Sequence, residues 1–509
     1  METFTPLLNG FVVALAPMNL AYCFLGVVLG TLIGVLPGLG PSAGLALLIP
    51  ATLGLHPATS LIMLSGLYYG TMYGGSTTSI LVNIPGEAAS VVTCIEGYKM
   101  SKKGRAGAAL AVAAVGSWVA GTVSAALLMF FAPPLAEAAL RFGPPEYFSL
   151  MILAFSILAP LAGGSLLKGI FMAALGLLLG CIGIDPFSGY QRFTFGQKEL
   201  MDGLGFVPVV MGLFGIGEIL TSVEKIFIHR EVLRVKFWDL WPNRLEWKRS
   251  LGPMGRGSIL GFFAGLIPGP SPVIAAFGSY AVEKRLSRNP EEFGHGAIEG
   301  VAGPEAANNA AVGGAFVPLL SLGIPFTPAM AVLVGGFIMQ GIQPSPLLIA
   351  EKPEIFWGLI ASMYVGNTML LVLNLPLVGI FASILRLSQN ILLPLVVIFC
   401  IVGSYSLNNS IFDIAMMITF GVFGYFLQKA KFDPTPLILG MVLGPMMEKS
   451  LRQSLAISMG DLSIFVTRPL SLIMLLSTLV IFSFPAIKWI RMNKAKADSE
   501  KPRKGPSIS

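Results

Sequence analysis

Two short segments carry proline and glycine in the same order, and residues of these types can form a binding site for a small anion. Residues 37–42 read PGLGPS, and residues 268–272 read PGPSP. Glycine lets the backbone approach a ligand closely, and helices that begin at such breaks direct partly positive N–H groups at an anion. We therefore predict a substrate-binding site in these two segments. Its members are Pro37, Gly38, Leu39, Gly40, Pro41, Pro268, Gly269, Pro270 and Ser271.

A second group of polar residues interrupts apolar sequence in each half of the chain. Unpaired polar groups are costly in hydrocarbon, so these side chains must face a partner or a wet cavity. Because hydroxyl and amide groups suit carboxylate oxygens, we add five of them to the predicted substrate site. They are Ser76, Thr77, Thr78, Asn308 and Asn309. The alternative is that the serine and threonine hydroxyls bond back to their own helix.

The composition places these segments in a lipid bilayer. Of 509 residues, 54% are hydrophobic and 12% are charged, with a mean hydropathy of +0.78. Residues 3–86 contain no Asp, Glu, Lys or Arg, and this stretch is long enough for several membrane spans of roughly 20 residues each. We predict an all-α polytopic membrane protein with about 10–12 transmembrane helices. Apolar runs cover residues 11–36, 59–84, 106–131, 146–160, 165–184, 203–222, 306–342, 357–382, 391–427 and 468–487. The shorter runs at 43–55 and 257–281 favour broken or re-entrant helices.

The glycine and proline segments belong to an internal repeat. Residues 30–41 align without gaps on residues 261–272, and residues 74–85 have a looser counterpart in residues 314–325. The chain therefore divides into two halves. Within each half two glycines lie four residues apart, which favours close helix packing over ligand contact at these positions. These glycines are Gly30, Gly34, Gly261 and Gly265.

The charges of the loops indicate that the two halves have opposite orientations. Residues 42–73 are uncharged, whereas the equivalent stretch of the second half carries basic and acidic residues at 283–292. Beyond the second repeated element the pattern reverses, with basic residues at 99–105 but no charge between Pro325 and Glu351. Cytoplasmic loops are enriched in Lys and Arg, so equivalent loops lie on opposite sides of the membrane. This is the pattern of two inverted-topology repeats, an architecture typical of secondary transporters.

The same charges suggest a division of the chain. We assign residues 1–224 to the first membrane repeat, 225–256 to a basic cytoplasmic linker, 257–487 to the second membrane repeat and 488–509 to a disordered cytoplasmic tail. The net charge of +7 is concentrated in loops beside apolar segments, which argues against nucleic-acid binding. The first helix is expected to remain in place, because the chain starts without the basic segment of a cleavable signal peptide.

Catalytic or metal-binding constellations are not apparent in the sequence. The four cysteines are scattered without a CxxC pattern, and we interpret them as packing residues. His56, His229 and His295 are far apart, and no nucleotide-binding motif occurs. An intramembrane enzyme, for example a serine hydrolase using Ser76, would need a nearby base, so this is a remote alternative.

Several longer stretches resemble a known family. They are GVLPGLGP (34–41), YYGTMYGGSTTSILVNIPGEAAS (68–90), EGYKMSKKGRAGAAL (96–110), GLIPGPSP (265–272), GPEAANNAAVGGAFVPLLSLGIP (303–325) and LRQSLAISMGD (451–461). Together they resemble the TctA family, the large membrane subunit of the tripartite tricarboxylate transporters. Where the family pattern often has glycine after the second Ile-Pro, this chain has Phe326, although the first half keeps Gly86. This departure bears on the shape of the pocket and on which carboxylate it accepts.

The resemblance implies partners and a driving force. The partners are a small four-helix membrane subunit (TctB-like) and a periplasmic solute-binding protein (TctC-like). The implied location of this chain is the bacterial inner membrane. The implied activity is import of citrate or related organic carboxylates by symport with sodium or protons. A stand-alone carboxylate carrier without a binding protein is the first alternative.

The residues themselves favour sodium over protons as the coupling ion. No buried pair of carboxylates or relay of histidine and aspartate is visible, whereas backbone breaks and hydroxyl groups are plentiful and can ligate sodium. We expect no cofactor other than this ion. Candidates for ion coupling are Asn83, Glu305 and Ser321, and the alternative for Glu305 is that it caps a helix at the membrane edge.

Overall fold

The chain folds almost entirely into α-helices, as predicted. The computed structural model describes residues 4–36, 38–161, 166–224, 240–380 and 389–483. The helices of the first part are α1 Phe4–Ala14, α2 Pro17–Val35, α3 Pro41–Leu48, α4 Pro57–Val82, α5 Val91–Lys102, α6 Ala106–Ala139, α7 Pro144–Leu161, α8 Leu166–Gly180, α9 Phe206–Val210 and α10 Gly217–Glu224. Those of the second part are α11 Arg244–Gly265, α12 Ser271–Leu286, α13 Glu299–Leu322, α14 Pro328–Met339, α15 Leu348–Glu351, α16 Pro353–Asn374, α17 Gln389–Asn408, α18 Ile411–Lys429, α19 Thr435–Ile457, α20 Ile464–Thr467 and α21 Pro469–Ser483. One antiparallel pair of two-residue strands, β1 Gly183–Ile184 and β2 Gln191–Arg192, occurs in the described residues.

Five described helices are long and apolar enough to cross a membrane. They are Pro17–Val35, Ala106–Ala139, Phe206–Glu224, Pro353–Asn374 and Ile411–Lys429. The third of these combines α9, one π-helical segment (Met211–Ile216) and α10. Shorter apolar helices add to this set, so a polytopic membrane protein is confirmed, whereas the number of passes stays a prediction.

Three of the predicted apolar runs are each divided between two helices. The run 11–36 contains the end of α1 and all of α2, which begins at Pro17. The run 306–342 breaks at Gly323, which has a φ of 74°, and the run 391–427 breaks at Asn409, which has a φ of 51°. A left-handed residue ends a helix without any change in hydropathy, so hydropathy alone does not detect these breaks.

Two boundaries also differ from expectation. The run 257–281 is broken as predicted, between α11 and α12, but its first part belongs to a longer helix, since α11 begins at Arg244. Helix α11 therefore crosses the predicted boundary between linker and second repeat at residue 256. Its start is fixed by Asn243, whose side chain accepts a hydrogen bond from the N–H of Glu246. The rest of the predicted linker, residues 225–239, and the tail lie outside the described residues.

Glycines at intervals of four bring two pairs of helices into backbone contact. In the first pair α2 lies along α4: a Cβ on Gly30 would be 2.2 Å from the carbonyl oxygen of Leu67. In the second pair α11 lies along α13: a Cβ on Gly261 would be 2.1 Å from the carbonyl oxygen of Ala307. Gly34 and Gly265 make equivalent contacts one turn further along. The packing interpretation of these glycines therefore agrees with the structure.

The long helices of the two pairs, α4 and α13, run antiparallel through the middle of the protein. Ser76, near the end of α4, contacts Glu305, near the start of α13. Tyr68, earlier in α4, lies with its ring 6.5 Å from that of Phe316, later in α13. Nearly all residues of both helices are buried. Because each long helix is parallel to its glycine partner, the pair α2–α4 runs opposite to the pair α11–α13.

The loops that we predict to be cytoplasmic contact one another across the two halves. Arg105 donates from Nε to Oε1 of Glu246 over 3.1 Å, which joins the segment after α5 to the start of α11. Glu96 in α5 accepts a hydrogen bond of 2.7 Å from the N–H of Gly296, just before α13. These loops therefore lie on one face of the protein. That this face is cytoplasmic stays a prediction.

Cysteine labelling in intact cells tests this orientation. In a background that lacks the four native cysteines, Lys102→Cys and Arg285→Cys are expected to resist a membrane-impermeant maleimide, because both exposed positions belong to basic loops. Leu53→Cys, beyond the opposite end of α4, is the matched exposed control and is expected to react. Labelling of Lys102→Cys or Arg285→Cys from outside would contradict the predicted orientation.

Candidate functional site

A cavity of about 600 Å³ lies where the breaks of the two halves meet. The break between α2 and α3 and the break between α11 and α12 both contribute to its wall. From the first come Gly38, Gly40, Pro41 and Ser42, and from the second come Pro270, Pro272 and Val273. The two segments that the sequence singled out thus line one common space.

Several helices begin at the wall of this cavity. Helix α3 begins at Pro41, α12 begins beside Pro270 and Pro272, and α14 begins at Pro328. The N-caps of α3 and α12 are Gly40 and Pro270, and neither provides a side chain to cap its helix. Uncapped helix amino termini carry partial positive charge, so their convergence favours binding of an anion.

Acidic side chains also line the cavity. They are Glu87, Glu218 and Asp433, and no Lys, Arg or His is among its described lining residues. Glu218 accepts a hydrogen bond of 3.4 Å from the N–H of Gly40, and Asp433 accepts one of 2.8 Å from the N–H of Thr435. Both carboxylates therefore interact with the first residues of helices. The wall thus combines positive helix ends with negative side chains.

Glu87 links the cavity to the buried polar residues of α13. Its Oε1 accepts a hydrogen bond of 3.2 Å from Nδ2 of Asn308, and its Oε2 accepts one of 2.6 Å from the N–H of Ala89. The Glu87 side chain is 8% exposed, and Asn308 is 1% exposed. Asn308 therefore contacts a lining residue although it does not line the cavity itself.

Glu305 forms the centre of a second buried network. Its Oε2 accepts a hydrogen bond of 2.6 Å from Ser76, and its Oε1 accepts one from Thr93. Asn309 donates to the hydroxyl of Ser117 over 2.7 Å and to the carbonyl oxygen of Glu305 over 3.1 Å. These polar groups connect α4, α5, α6 and α13 to one another. Glu305 is thus buried between helices and does not cap a helix at the membrane edge.

The other predicted site residues lie beside the cavity or away from it. Leu39 packs into the hydrophobic core, and Gly269 donates from its N–H to the carbonyl oxygen of Phe326 over 2.8 Å. Pro268 and Ser271 are also buried outside the lining, and Pro37 lies outside the described residues. Thr77 borders a small separate pocket, and Thr78 bonds to the carbonyl oxygen of Val35.

The two remaining candidates for ion coupling have local structural roles. Asn83 adopts a left-handed conformation, with a φ of 59°, and ends α4. The hydroxyl of Ser321 bonds back to the carbonyl oxygen of Val317 in its own helix. Neither residue lines the cavity of about 600 Å³.

Packing explains why the first half has glycine at position 86. A Cβ on Gly86 would be 2.2 Å from the carbonyl oxygen of Gly34, so the first half needs glycine at this position. In the second half the carbonyl oxygen of Phe326 instead holds the N–H of Gly269. Gly86 lines the cavity, and Phe326 is not among the lining residues.

Several lining residues were not predicted from the sequence. They are Tyr68, Met72, Glu87, Phe214, Glu218, Ser222, Thr327, Gln428 and Asp433. Glu87 had a detectable signal, because it is the first charged residue after a long uncharged stretch. Glu218, Gln428 and Asp433 come from α10, the end of α18 and the start of α19, and no repeat marks them.

The family model described as "Tripartite tricarboxylate transporter TctA family" matches residues 20–439, which include every residue that lines the cavity. The chain belongs to the TctA family. Its family is therefore one of transporters. Within the described residues, no group of three His, Cys, Asp or Glu side chains could hold a metal ion.

Two relatives are similar over much of their length. One is "Uncharacterized 52.8 kDa protein in TAR-I ttuC' 3'region" from Agrobacterium vitis, 50% identical over 491 residues, which cover 96% of this chain and 98% of the relative. The other is "Uncharacterized protein in TAR-II ttuC' 3'region" from the same organism, 53% identical over 211 residues, which cover 42% of this chain and 87% of the relative. No solved structure matches the chain.

Proposed function

We propose that this chain is the large membrane subunit of a binding-protein-dependent secondary transporter that imports tricarboxylates or related organic carboxylates with sodium. Membership of the TctA family supports the transporter class. The proposed partners are a small four-helix membrane subunit and a periplasmic solute-binding protein. The proposed location is the bacterial inner membrane.

The observation that carries the proposal is the shared cavity between the two breaks. Its volume of about 600 Å³ falls in the range of roughly 300–1,000 Å³ that is usual for sites that bind small molecules. The amino terminus of α3 at its wall has no side-chain cap and supplies N–H groups for a carboxylate of a substrate. Helix α12 contributes the positive end of its dipole alone, because Pro272 lacks an N–H and the N–H groups of Ser271 and Val273 donate to Gly269 and Pro270. A carboxylate can be held there without a basic side chain.

The directions of the helices support an alternating-access mechanism. Helices α2 and α11 approach the cavity in opposite directions, because the pair α2–α4 runs opposite to the pair α11–α13. We call the breaks between α2 and α3 and between α11 and α12 the re-entrant tips. Two inverted-topology repeats would place one of these tips towards each side of the membrane. A substrate at the tips is then accessible from either side, according to which repeat moves.

Uptake into proteoliposomes tests the proposal. The chain is reconstituted with the small membrane subunit, and labelled di- and tricarboxylates are supplied with the binding protein. We expect saturable uptake that needs an inward sodium gradient at fixed pH and falls at least tenfold without the binding protein. Lack of uptake of every carboxylate under sodium and pH gradients would contradict the proposal.

The same experiment decides on the stand-alone carrier. Uptake at an equal rate without both partner proteins would favour a carrier that needs no binding protein. Uptake driven fully by a pH gradient in the absence of sodium would assign the coupling to protons instead.

A further inference from the structure

The proposed anion site has a wall that carries negative charge. Glu87, Glu218 and Asp433 line it, and the described lining includes no cationic side chain. A carboxylate substrate would be repelled by ionised carboxylates a few ångströms away in a medium of low dielectric constant. Helix amino termini offset part of this repulsion, since each supplies about half a positive charge. A bound cation would offset the rest.

Glu87 is the acidic lining residue that most needs a cation. It is 8% exposed, and the ion pairs of the described residues do not include it. Glu305, one turn before Asn308 in α13, is 1% exposed, so the expectation that no pair of buried carboxylates occurs is wrong. Burying an ionised carboxylate without a counter-charge is expensive, so two of them in one region require compensation.

A neighbouring oxygen atom lacks the partner that a cation would supply. Asn308 donates through Nδ2 to Glu87, but its carbonyl oxygen Oδ1 is buried and has no hydrogen-bond partner in the described residues. An unsatisfied buried acceptor costs about 1–3 kcal/mol. Because Asn308 is 1% exposed, bulk water does not satisfy this atom. A carboxylate and an unpaired carbonyl oxygen are ligands that suit a hard cation.

The two halves differ at this position in a way that localises the charge. Glu87 and Thr327 occupy equivalent positions in the two halves. Glu87 caps the short helix Ala88–Ser90 that follows α4, and Thr327 caps α14, which follows α13. Asn308 and Tyr68 also occupy equivalent positions. Asn308 follows Ala307, which contacts Gly261 of α11, and Tyr68 follows Leu67, which contacts Gly30 of α2. The first pair contains an acid, whereas the second contains only hydroxyl groups. The Tyr68 hydroxyl lies near Thr327 without a hydrogen bond of normal geometry.

We propose that Glu87 and Asn308 bind one sodium ion at the edge of the cavity, and that this ion also faces a carboxylate of the substrate. The remaining ligands come from water or from the substrate itself. The bound sodium ion then compensates the negative charge of Glu87, so that an anionic substrate can bind beside the acidic wall. Binding of sodium and binding of substrate are thereby coupled. Only the coupling of sodium to substrate rests on the proposed function. Sodium binding itself is measured without substrate and is independent of it.

The hydrogen bonds of Glu87 favour sodium over a proton. Both of its carboxylate oxygens accept hydrogen bonds from N–H donors, one from Asn308 and one from Ala89. The backbone N–H of Ala89 cannot become an acceptor. Hydrogen bonds of this kind stabilise the ionised form of a carboxyl group. A proton on either oxygen would weaken the hydrogen bond that this oxygen accepts, so the two donors suit the form of Glu87 that binds a metal cation.

Thermal stability in sodium without any carboxylate tests the site. Purified full-length chain is heated in NaCl or in N-methyl-D-glucamine chloride at equal ionic strength. Sodium is expected to raise the melting temperature of the wild type, because a ligand that binds the folded state stabilises it. Glu87→Gln and Asn308→Leu are expected to need at least tenfold more sodium for the same shift. Binding of ²²Na⁺ should saturate at one ion per chain.

Asp413→Asn is the matched control. Asp413 is also a buried acid, 7% exposed, that accepts a hydrogen bond of 2.8 Å from an asparagine, Asn408, but it does not line the cavity. Its sodium response should equal that of the wild type. Equal loss in Glu87→Gln and Asp413→Asn would reduce the effect to the general loss of a buried charge and overturn the site. A stabilisation by low pH that only Glu87→Gln abolishes, without any response to sodium, would replace the ion by a proton.

Discussion

Replacing Gly38 by valine is expected to lower carboxylate uptake at least tenfold while the protein still folds. Gly38 lines the cavity at the tip between α2 and α3 and has a φ of 89°. A Cβ there would be 2.9 Å from Oγ of Ser222, a small side chain that can rotate away. The added methyl groups would then occupy space that the structure leaves open for a ligand. The measurement is initial uptake in proteoliposomes, normalised to monodisperse protein.

Gly54→Val separates this effect from backbone strain. Gly54 also has a left-handed conformation, with a φ of 76°, but a Cβ there has nothing within 4 Å. Both variants bear the strain of a branched residue at positive φ, of the order of 1–3 kcal/mol. Gly54 lies in the loop between α3 and α4 and does not line the cavity. Transport by Gly54→Val should stay within twofold of the wild type, and equal losses in both variants would remove the tip from the site.

The glycine pattern predicted close helix packing, without naming the partner helices, because small residues at intervals of four have one main physical use. They let two backbones approach until only a hydrogen atom fits, as Gly30 against Leu67 and Gly261 against Ala307 illustrate. The duplicated tips were also recognisable, because both copies combine proline with glycine. Sequence alone could therefore identify the two elements that border the cavity.

The acidic part of the site could not be recognised in the same way. Glu87 follows a turn and caps the short helix Ala88–Ser90, which is the usual role of an exposed residue of this type. Its side chain is buried between Gly75 of α4 and Asn308, which α13 brings against it from the other half of the chain. Glu218 and Asp433 reach the cavity from helices remote in sequence. Such encounters depend on tertiary packing, which a local pattern does not encode.

Ser76 illustrates how packing changed the expected role of a residue. Its hydroxyl was predicted to contact substrate, since polar groups in lipid need a partner. The antiparallel contact of α4 with α13 supplies that partner within the protein, and Ser76 donates to Glu305 over 2.6 Å. The physical requirement was predicted correctly, but the sequence could not say which group fulfils it. Substrate contact by Ser76 therefore stays a prediction without support from the cavity.

Replacing Gly261 by alanine is expected to abolish most of the folded protein, although only one methyl group is added. The new Cβ would be 2.1 Å from the carbonyl oxygen of Ala307, and this backbone cannot move without separating α11 from α13. Separation would also loosen the adjacent contacts of Gly257 and Gly265. Overpacking typically costs about 1–3 kcal/mol, and a clash of backbone with backbone should lie at the upper end. Fluorescence-detected size exclusion of detergent extracts measures the surviving monodisperse fraction.

Gly255→Ala provides the control on the same helix. A Cβ on Gly255 has nothing within 4 Å, so the substitution adds no clash. Alanine also favours a helix over glycine by about 1 kcal/mol. Gly255→Ala should therefore match or exceed the wild type in monodisperse yield and melting temperature, whereas Gly261→Ala should lose at least tenfold in yield. If both variants behaved alike, the backbone contact between α11 and α13 would not be required for folding.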